Sequence, residues 1–159
     1  MRKRFKNNKT LIFFLIFGVC SLAFIIVNGL LDANISHRIS QTLMKVLFPN
    51  LQIYTEAYGV RETCLRKIAH LLEYGALGMW LWLFKLTLVR CNRNFSGWWI
   101  LSTVFLIGVL DEFLQSRSQR TGTVYDVLID ILGGLLGMAA AIAIHKLWKR
   151  YKNRRKHHG

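Results

Sequence analysis

The chain has 159 residues, enough for one domain, and 53% of them are hydrophobic. Its net charge is +14, from 22 basic and 8 acidic side chains. The basic residues collect at the two termini and between long apolar runs, which is typical of a membrane protein, whereas a nucleic-acid-binding protein carries them on a soluble surface. We therefore predict a single membrane domain over residues 1–159 that does not bind nucleic acid.

The first apolar run extends from Leu11 to Leu31 and contains no charged residue. At 1.5 Å per residue, a helix of this length crosses the hydrocarbon core of about 30 Å. The run is longer than the core of a cleaved signal peptide, and no small-x-small cleavage site follows it. We predict that residues 11–31 form an uncleaved first span.

Residues 32–65 are read from the sequence as a mixed polar loop. Within this loop, apolar side chains recur near helical spacing from Ile35 to Phe48, with polar residues between them. This pattern predicts a short amphipathic helix that lies on the membrane surface and ends before Pro49.

Three further apolar runs predict spans at about 68–89, 95–114 and 124–148, and hence an all-α, four-transmembrane-helix bundle. Fourteen Lys and Arg residues fall on the side of the two termini and seven on the other side. The positive-inside rule therefore predicts cytoplasmic termini and places the amphipathic segment in the first extracellular loop. Cys64 and Cys91 would then lie on opposite sides of the membrane, and we expect both thiols to be unpaired.

Polar side chains recur near the predicted outer ends of the second, third and fourth spans. Charged residues are rare within spans, because a charge at the centre of a span costs about 2.5–3.5 kcal/mol. Spacings of three and four residues place several members of each group on one helix face, and the acids lie at similar depth. We predict that they line one connected pocket. The candidate ligand-binding residues are Arg66, Lys67, His70, Glu73, Tyr74, Asp111, Glu112, Gln115, Arg120, Asp126 and Asp130.

Two interpretations of this cluster remain open. It is either a structural network that pins three helices together or a functional site, and in both cases we expect the acids to pair with Arg66, Lys67 and Arg120. The crowding of Asp111, Glu112, Asp126 and Asp130 favours a site, because like charges repel each other without adding structural support. We predict neither a metal nor another cofactor. The less favoured alternative is a divalent cation held by His70 and Glu73 with Asp111, Asp126 and Asp130.

Glycines follow the polar residues on two of the predicted spans. Gly133 and Gly137 form a G-x-x-x-G pattern on the fourth span, and Gly75 and Gly78 lie on the second span. Such glycines allow the backbones of two helices to approach closely, so we predict a helix–helix contact here.

The two polar stretches resemble the VanZ-like family. The residues from Arg66 to Gly78 are similar to the family's R-K-x-x-H-x-x-E-Y stretch and the glycines after it. Those from Asp111 to Gly137 are similar to its D-E-x-x-Q…R…D-V-x-x-[N/D]-x-x-G-x-x-x-G stretch.

The chain departs from the family pattern in two places. Leu114 stands where the family often has His, and the interval from Gln115 to Arg120 is short and lacks a Pro-Gly pair. The resemblance implies a multi-pass protein of the bacterial plasma membrane, associated with reduced susceptibility to glycopeptide antibiotics such as teicoplanin. It does not imply a defined molecular activity.

Two functional hypotheses follow. In the first, Arg66, Lys67 and Arg120 hold the phosphate of a membrane lipid or of a lipid-linked or cell-wall intermediate. In the second, the protein is an outer-leaflet enzyme in which Asp111 or Glu112 is the general base and His70 its acid–base partner, or in which a metal assists. We favour binding because the sequence has no nucleophile motif; it predicts no oligomeric state.

Overall fold

The computed structural model describes residues 2–49, 56–90, 96–118 and 123–157, which form five α-helices. The helices are α1 (Arg2–Leu30), α2 (Ala33–Leu47), α3 (Glu56–Arg90), α4 (Trp98–Arg117) and α5 (Val124–His157). These residues contain no β-strand. The predicted all-α class is therefore confirmed.

Three helices are long and apolar enough to cross a membrane: Leu11–Leu30, Trp98–Arg117 and Val124–Arg155. They correspond to the first, third and fourth predicted spans. Large apolar side chains such as Phe13 and Leu106 are exposed on them, as expected for surfaces that face lipid. The predicted second span lies within α3, which is not among the three candidates; polar side chains such as Glu73 interrupt its apolar residues.

The polar region before α3 is more helical than predicted. The expected helix is confirmed as α2, which ends at Leu47, and the Asp32 carboxylate caps its start by accepting a bond of 2.8 Å from the Asn34 N–H. The prediction that the loop continues to residue 65 is wrong, because α3 begins at Glu56. The polar start of α3 contacts α2 through a 2.7 Å hydrogen bond between Glu62 Oε1 and His37 Nδ1.

The predicted glycine contact joins α3 and α5. A Cβ atom added to Gly137 would collide with the Gly75 carbonyl oxygen, and one added to Gly133 would lie 2.6 Å from the Leu71 carbonyl oxygen. These paired positions advance together along both helices, so α3 and α5 run parallel with their backbones in direct contact. Only glycine, which has no Cβ atom, permits this approach.

The other helices pack around this pair and bring several helix ends together. Trp80 Nε1 of α3 donates a 2.9 Å hydrogen bond to the Phe14 carbonyl oxygen of α1. At the other end of α1, the Gly29 carbonyl oxygen accepts a 3.1 Å bond from Ser118 Oγ, just after α4. The C-termini of α1 and α4 therefore lie near each other, above a buried apolar cluster that includes Leu77 and Val104.

The close contact between α3 and α5 predicts that Gly137→Ala is destabilising. The added methyl group would meet the Gly75 backbone, and overpacking of this kind costs about 1–3 kcal/mol. Thermal unfolding of detergent-extracted protein measures the effect. Gly59→Ala is the matched control, because nothing lies within 4 Å of its added Cβ atom. Removing glycine from this helix should stabilise it by up to about 1 kcal/mol. Equal melting of the two variants would contradict the contact.

Candidate functional site

His70 on α3 lies where three helices meet. Its ring nitrogen Nδ1 is hydrogen-bonded to Asp130 Oδ1 of α5 at 3.1 Å. The same nitrogen lies 3.8 Å from Asp111 Oδ2 of α4. All three side chains are buried, and that of Asp130 has no exposed surface. The structure therefore brings α3, α4 and α5 together at one polar cluster.

Asp111 is held on several sides. Gln115 Nε2, one turn further along α4, donates a 3.0 Å hydrogen bond to Asp111 Oδ2, and the Tyr74 hydroxyl approaches the same oxygen at 3.5 Å. The other oxygen faces α1, where a Cβ atom on Gly29 would lie only 2.5 Å from it. The position of this carboxylate is thus fixed by α1, α3 and its own helix.

Sequence reasoning missed the contribution of α1. Asn28 Nδ2 donates a 2.7 Å hydrogen bond to Glu73 Oε1, which ties the end of α1 to the polar face of α3. Asn28 is the only amide side chain between Leu11 and Leu31, and this lone polar residue near the end of an apolar run was the available signal. The Cβ atom of Leu114 on α4 lies 3.3 Å from the position that a Cβ atom of Gly29 would take.

Glu112 differs from the other acids in having no hydrogen-bond partner on either carboxylate oxygen among the described residues. The Thr123 backbone amide lies near it without hydrogen-bond geometry. Asp130 Oδ2 is also without a partner, and the glycine at position 108 leaves room beside it. Glu62 is equally buried, at 9% exposed, but is paired with His37.

One set of side chains in this cluster could hold a metal ion. Ligand atoms of His70, Glu112 and Asp130 all lie within 4.8 Å of one another, and all three residues are buried. This set differs from the sequence-based alternative, because Glu112 replaces Glu73, Asp111 and Asp126. Glu73 is instead bonded to Asn28, and Asp126 Oδ2 accepts a 2.8 Å bond from Thr123 Oγ1.

The basic residues do not pair with the acids as expected. Arg66 is half-buried and Lys67 is exposed, and neither forms an ion pair with an acid in the described part of the chain. Together they line a cavity of about 330 Å³ between α3 and the start of α5. Its other lining residues are Thr63, His70, Thr123, Tyr125 and Asp126.

Two further cavities adjoin this one. A cavity of about 140 Å³ shares Arg66 and His70 with it and is also lined by polar residues of α1, α3 and α4 and by both serine and apolar side chains of α2. An apolar groove of about 530 Å³ between α1 and α3 shares Asn28 and Glu73 with that smaller cavity. The smaller cavity thus shares lining residues both with the apolar groove and with the cavity that contains the basic residues.

The structure places most of the predicted site residues around these cavities. Asp126 lines the larger polar cavity, and Glu112 and Asp130 are buried beside His70. Glu73, Asp111 and Gln115 line the smaller one. Arg120 lies outside the described residues. That these side chains bind a ligand is still a prediction.

The helices and the site define a class of protein: an all-helical protein of membrane-spanning type with a buried histidine–carboxylate cluster where four helices pack together. Residues 10–146 match the VanZ/LLP1 family, so the chain belongs to that family. The matched region contains both polar stretches and includes each of the five helices in whole or in part. No curated protein and no solved structure matches the chain.

The unpartnered carboxylate predicts that Glu112→Gln is not destabilising in chelator-washed protein. The substitution removes a buried charge without a partner, so the free energy of unfolding should stay the same or rise by up to about 2 kcal/mol. Glu62→Gln is the matched control, since it weakens the bond to His37 and should lower that free energy by about 1 kcal/mol. Detergent-extracted thermal unfolding compares the two; a larger loss for Glu112→Gln would contradict this interpretation.

Proposed function

We propose that the chain is a single four-span domain of the bacterial plasma membrane, with both termini in the cytoplasm and the site facing outward. The basic-residue counts of fourteen and seven support this orientation. A second span at about residues 68–89 is supported by the packing of α3 against α5 and α1 through Gly75 and Trp80, because both of those helices contain candidate spans. The amphipathic α2 would then lie on the outer surface.

This topology predicts the labelling of single cysteines in intact cells. Cys64 lies exposed on α3, near the basic residues of the site, and should react with a membrane-impermeant maleimide in a variant that lacks the other two cysteines. Cys91, which lies outside the described residues, should react only after the membrane is permeabilised. The reverse pattern would place the site on the cytoplasmic face.

We further propose that the protein binds a phosphate-bearing envelope component, either a lipid headgroup or a lipid-linked cell-wall intermediate. The observation that carries this proposal is the cavity lined by Arg66 and Lys67, whose cationic groups form no ion pair with the described acids. An arginine can hold a phosphate through two hydrogen bonds. The start of α5, at Thr123 and Val124, adds the positive end of a helix dipole beside them.

The adjoining apolar groove favours a lipid over a free phosphate. It is lined by Phe17, Phe24, Ile25 and other residues of α1 and α3, and it reaches Asn28 and Glu73 at the edge of the polar cavities. An acyl or prenyl chain in this groove would place its head towards Arg66. Because the surrounding bilayer is as apolar as this groove, the groove would select a chain by close packing and would add little hydrophobic free energy.

The binding proposal predicts that Arg66→Gln weakens the binding of phosphate-bearing lipid at least about tenfold, the loss expected from a charge-assisted hydrogen bond. Native mass spectrometry or nanodisc titration would compare phosphatidylglycerol, a lipid-linked cell-wall diphosphate and inorganic phosphate. Arg117→Gln is the control for net charge, because Arg117 lies at the same end and stacks on Phe113. Equal losses in both variants would indicate general electrostatic attraction and contradict a defined site.

The same variants test the association with glycopeptide susceptibility. Expression of the wild type should reduce teicoplanin susceptibility, and Arg66→Gln should lose this protection at normal membrane abundance, whereas Arg117→Gln should keep it. Loss of the phenotype only together with loss of abundance would support the structural interpretation of the cluster.

One observation supports an enzyme as the second candidate. The hydrogen bond to Asp130 orients the buried His70 imidazole at the cavity that contains Arg66 and Lys67, as a general acid–base group requires. Turnover of a lipid-linked phosphate ester by the purified wild type, lost in His70→Gln, would favour catalysis over binding.

A further inference from the structure

We propose that His70, Glu112 and Asp130 form a binding site for a divalent transition-metal cation, of which Mn²⁺ and Zn²⁺ are the best matches. The site lies between α3, α4 and α5, beneath the cavity that contains Arg66 and Lys67. This inference goes beyond the binding of a phosphate-bearing lipid and does not depend on it.

The distances between the three side chains are close to those of a bound metal ion. Their ligand atoms all lie within 4.8 Å of one another. Around an ion with bonds of about 2.0–2.2 Å, two ligand atoms lie about 3.4 Å apart at tetrahedral angles and about 4.4 Å apart on opposite sides. A movement of each ligand atom by up to about an ångström, within the reach of side-chain rotation, completes the coordination.

The unpartnered oxygens independently indicate a ligand. Both carboxylate oxygens of Glu112 and Oδ2 of Asp130 are buried without a hydrogen-bond partner among the described residues. Buried charges in proteins are paired or coordinate metals. Glu62, an equally buried glutamate, is hydrogen-bonded to His37, whereas Glu112 has no such partner among the described residues.

The surrounding residues hold the set in place. Asp111 Oδ2 lies 3.8 Å from the His70 ring nitrogen, and its own position is fixed by Gln115. At this distance Asp111 acts on the imidazole through its charge, while the hydrogen bond that orients the ring is the one to Asp130. Gly108 leaves space beside Asp130, where a Cβ atom would lie 3.3 Å from its unpartnered oxygen.

The chemistry of the ligands selects the class of metal. Carboxylates alone suit Mg²⁺ and Ca²⁺, which prefer oxygen ligands, whereas an imidazole nitrogen favours zinc and other first-row transition metals. One nitrogen with two carboxylates also suits Mn²⁺. Two carboxylate charges balance one divalent cation, so its binding leaves a neutral group in the apolar interior.

The test uses the full chain, purified in detergent, washed with chelator and carrying His157→Ala and His158→Ala, which remove two adjacent terminal histidines able to bind metal nonspecifically. Titration with Mn²⁺, followed by the loss of the free-ion electron paramagnetic resonance signal, should give one site per chain. Excess Zn²⁺ should compete for it. The bound cation should raise the melting temperature of the protein.

Variants locate the site. Glu112→Gln and Asp130→Asn should each weaken Mn²⁺ binding by more than the ten- to hundredfold typical of outer-shell substitutions, and the metal should no longer raise their melting temperature. Glu62→Gln, which changes an equally buried carboxylate outside the set, should bind Mn²⁺ as the wild type does.

If a ligand variant fails to fold, the wild type still tests the proposed site. X-ray absorption should then show an imidazole nitrogen in the coordination shell of bound Zn²⁺. Absence of stoichiometric binding, unchanged binding in both variants, or a shell without nitrogen would overturn the proposal. Each of these results leaves lipid binding at Arg66 to be judged by its own titration.

Discussion

The contact between the glycines of α3 and α5 determines the geometry of the rest of the bundle. Since Gly133 meets the backbone at Leu71, His70 and Asp130 are forced together one turn or less away. No side chain between the two helices can alter this register, because there is almost no space between their backbones. The hydrogen bond between the imidazole and the carboxylate is therefore a consequence of backbone packing as well as of charge.

The packing of α4 against α3 and α5 places its two consecutive acids, Asp111 and Glu112, in different surroundings. Consecutive residues on a helix point about 100° apart, so Asp111 and Glu112 cannot face the same neighbour. Asp111 is directed towards α1 and Tyr74 and is held by Gln115. Glu112 is directed towards α5 and lies with His70 and Asp130, without a hydrogen-bond partner in the described structure. The two adjacent carboxylates thus differ, because Asp111 is fixed by its neighbours whereas Glu112 is the one proposed to bind a cation.

Much of this arrangement could be predicted from the sequence because it depends on periodicity and length. Apolar runs identified α1, α4 and α5, and spacings of three and four residues placed the polar side chains at one depth. Periodicity gives the face of a helix but not its partner, which is why the pairing of acids with Arg66 and Lys67 was expected and is not observed. Asn28 was missed for the same reason, since nothing local shows that α1 reaches Glu73. The polar start of α3 was read as a loop because its helix is stabilised by α2, through contacts distant in sequence such as that of His37 with Glu62.

The proposed lipid site and the proposed cation site share His70, so the charges of one site affect binding at the other. The cavity lined by Arg66 and Lys67 lies directly over a cluster of buried carboxylates, and His70 belongs to both. In a medium of low dielectric constant, the negative charge of those carboxylates opposes the entry of a phosphate more strongly than it would in water. A divalent cation bound by Glu112 and Asp130 would cancel that charge and would leave the field of the two basic residues and of the α5 N-terminus to act on the proposed ligand. With the cation bound, the acids would therefore be compatible with an anion-binding cavity, which would explain why both kinds of residue lie at one end of the bundle.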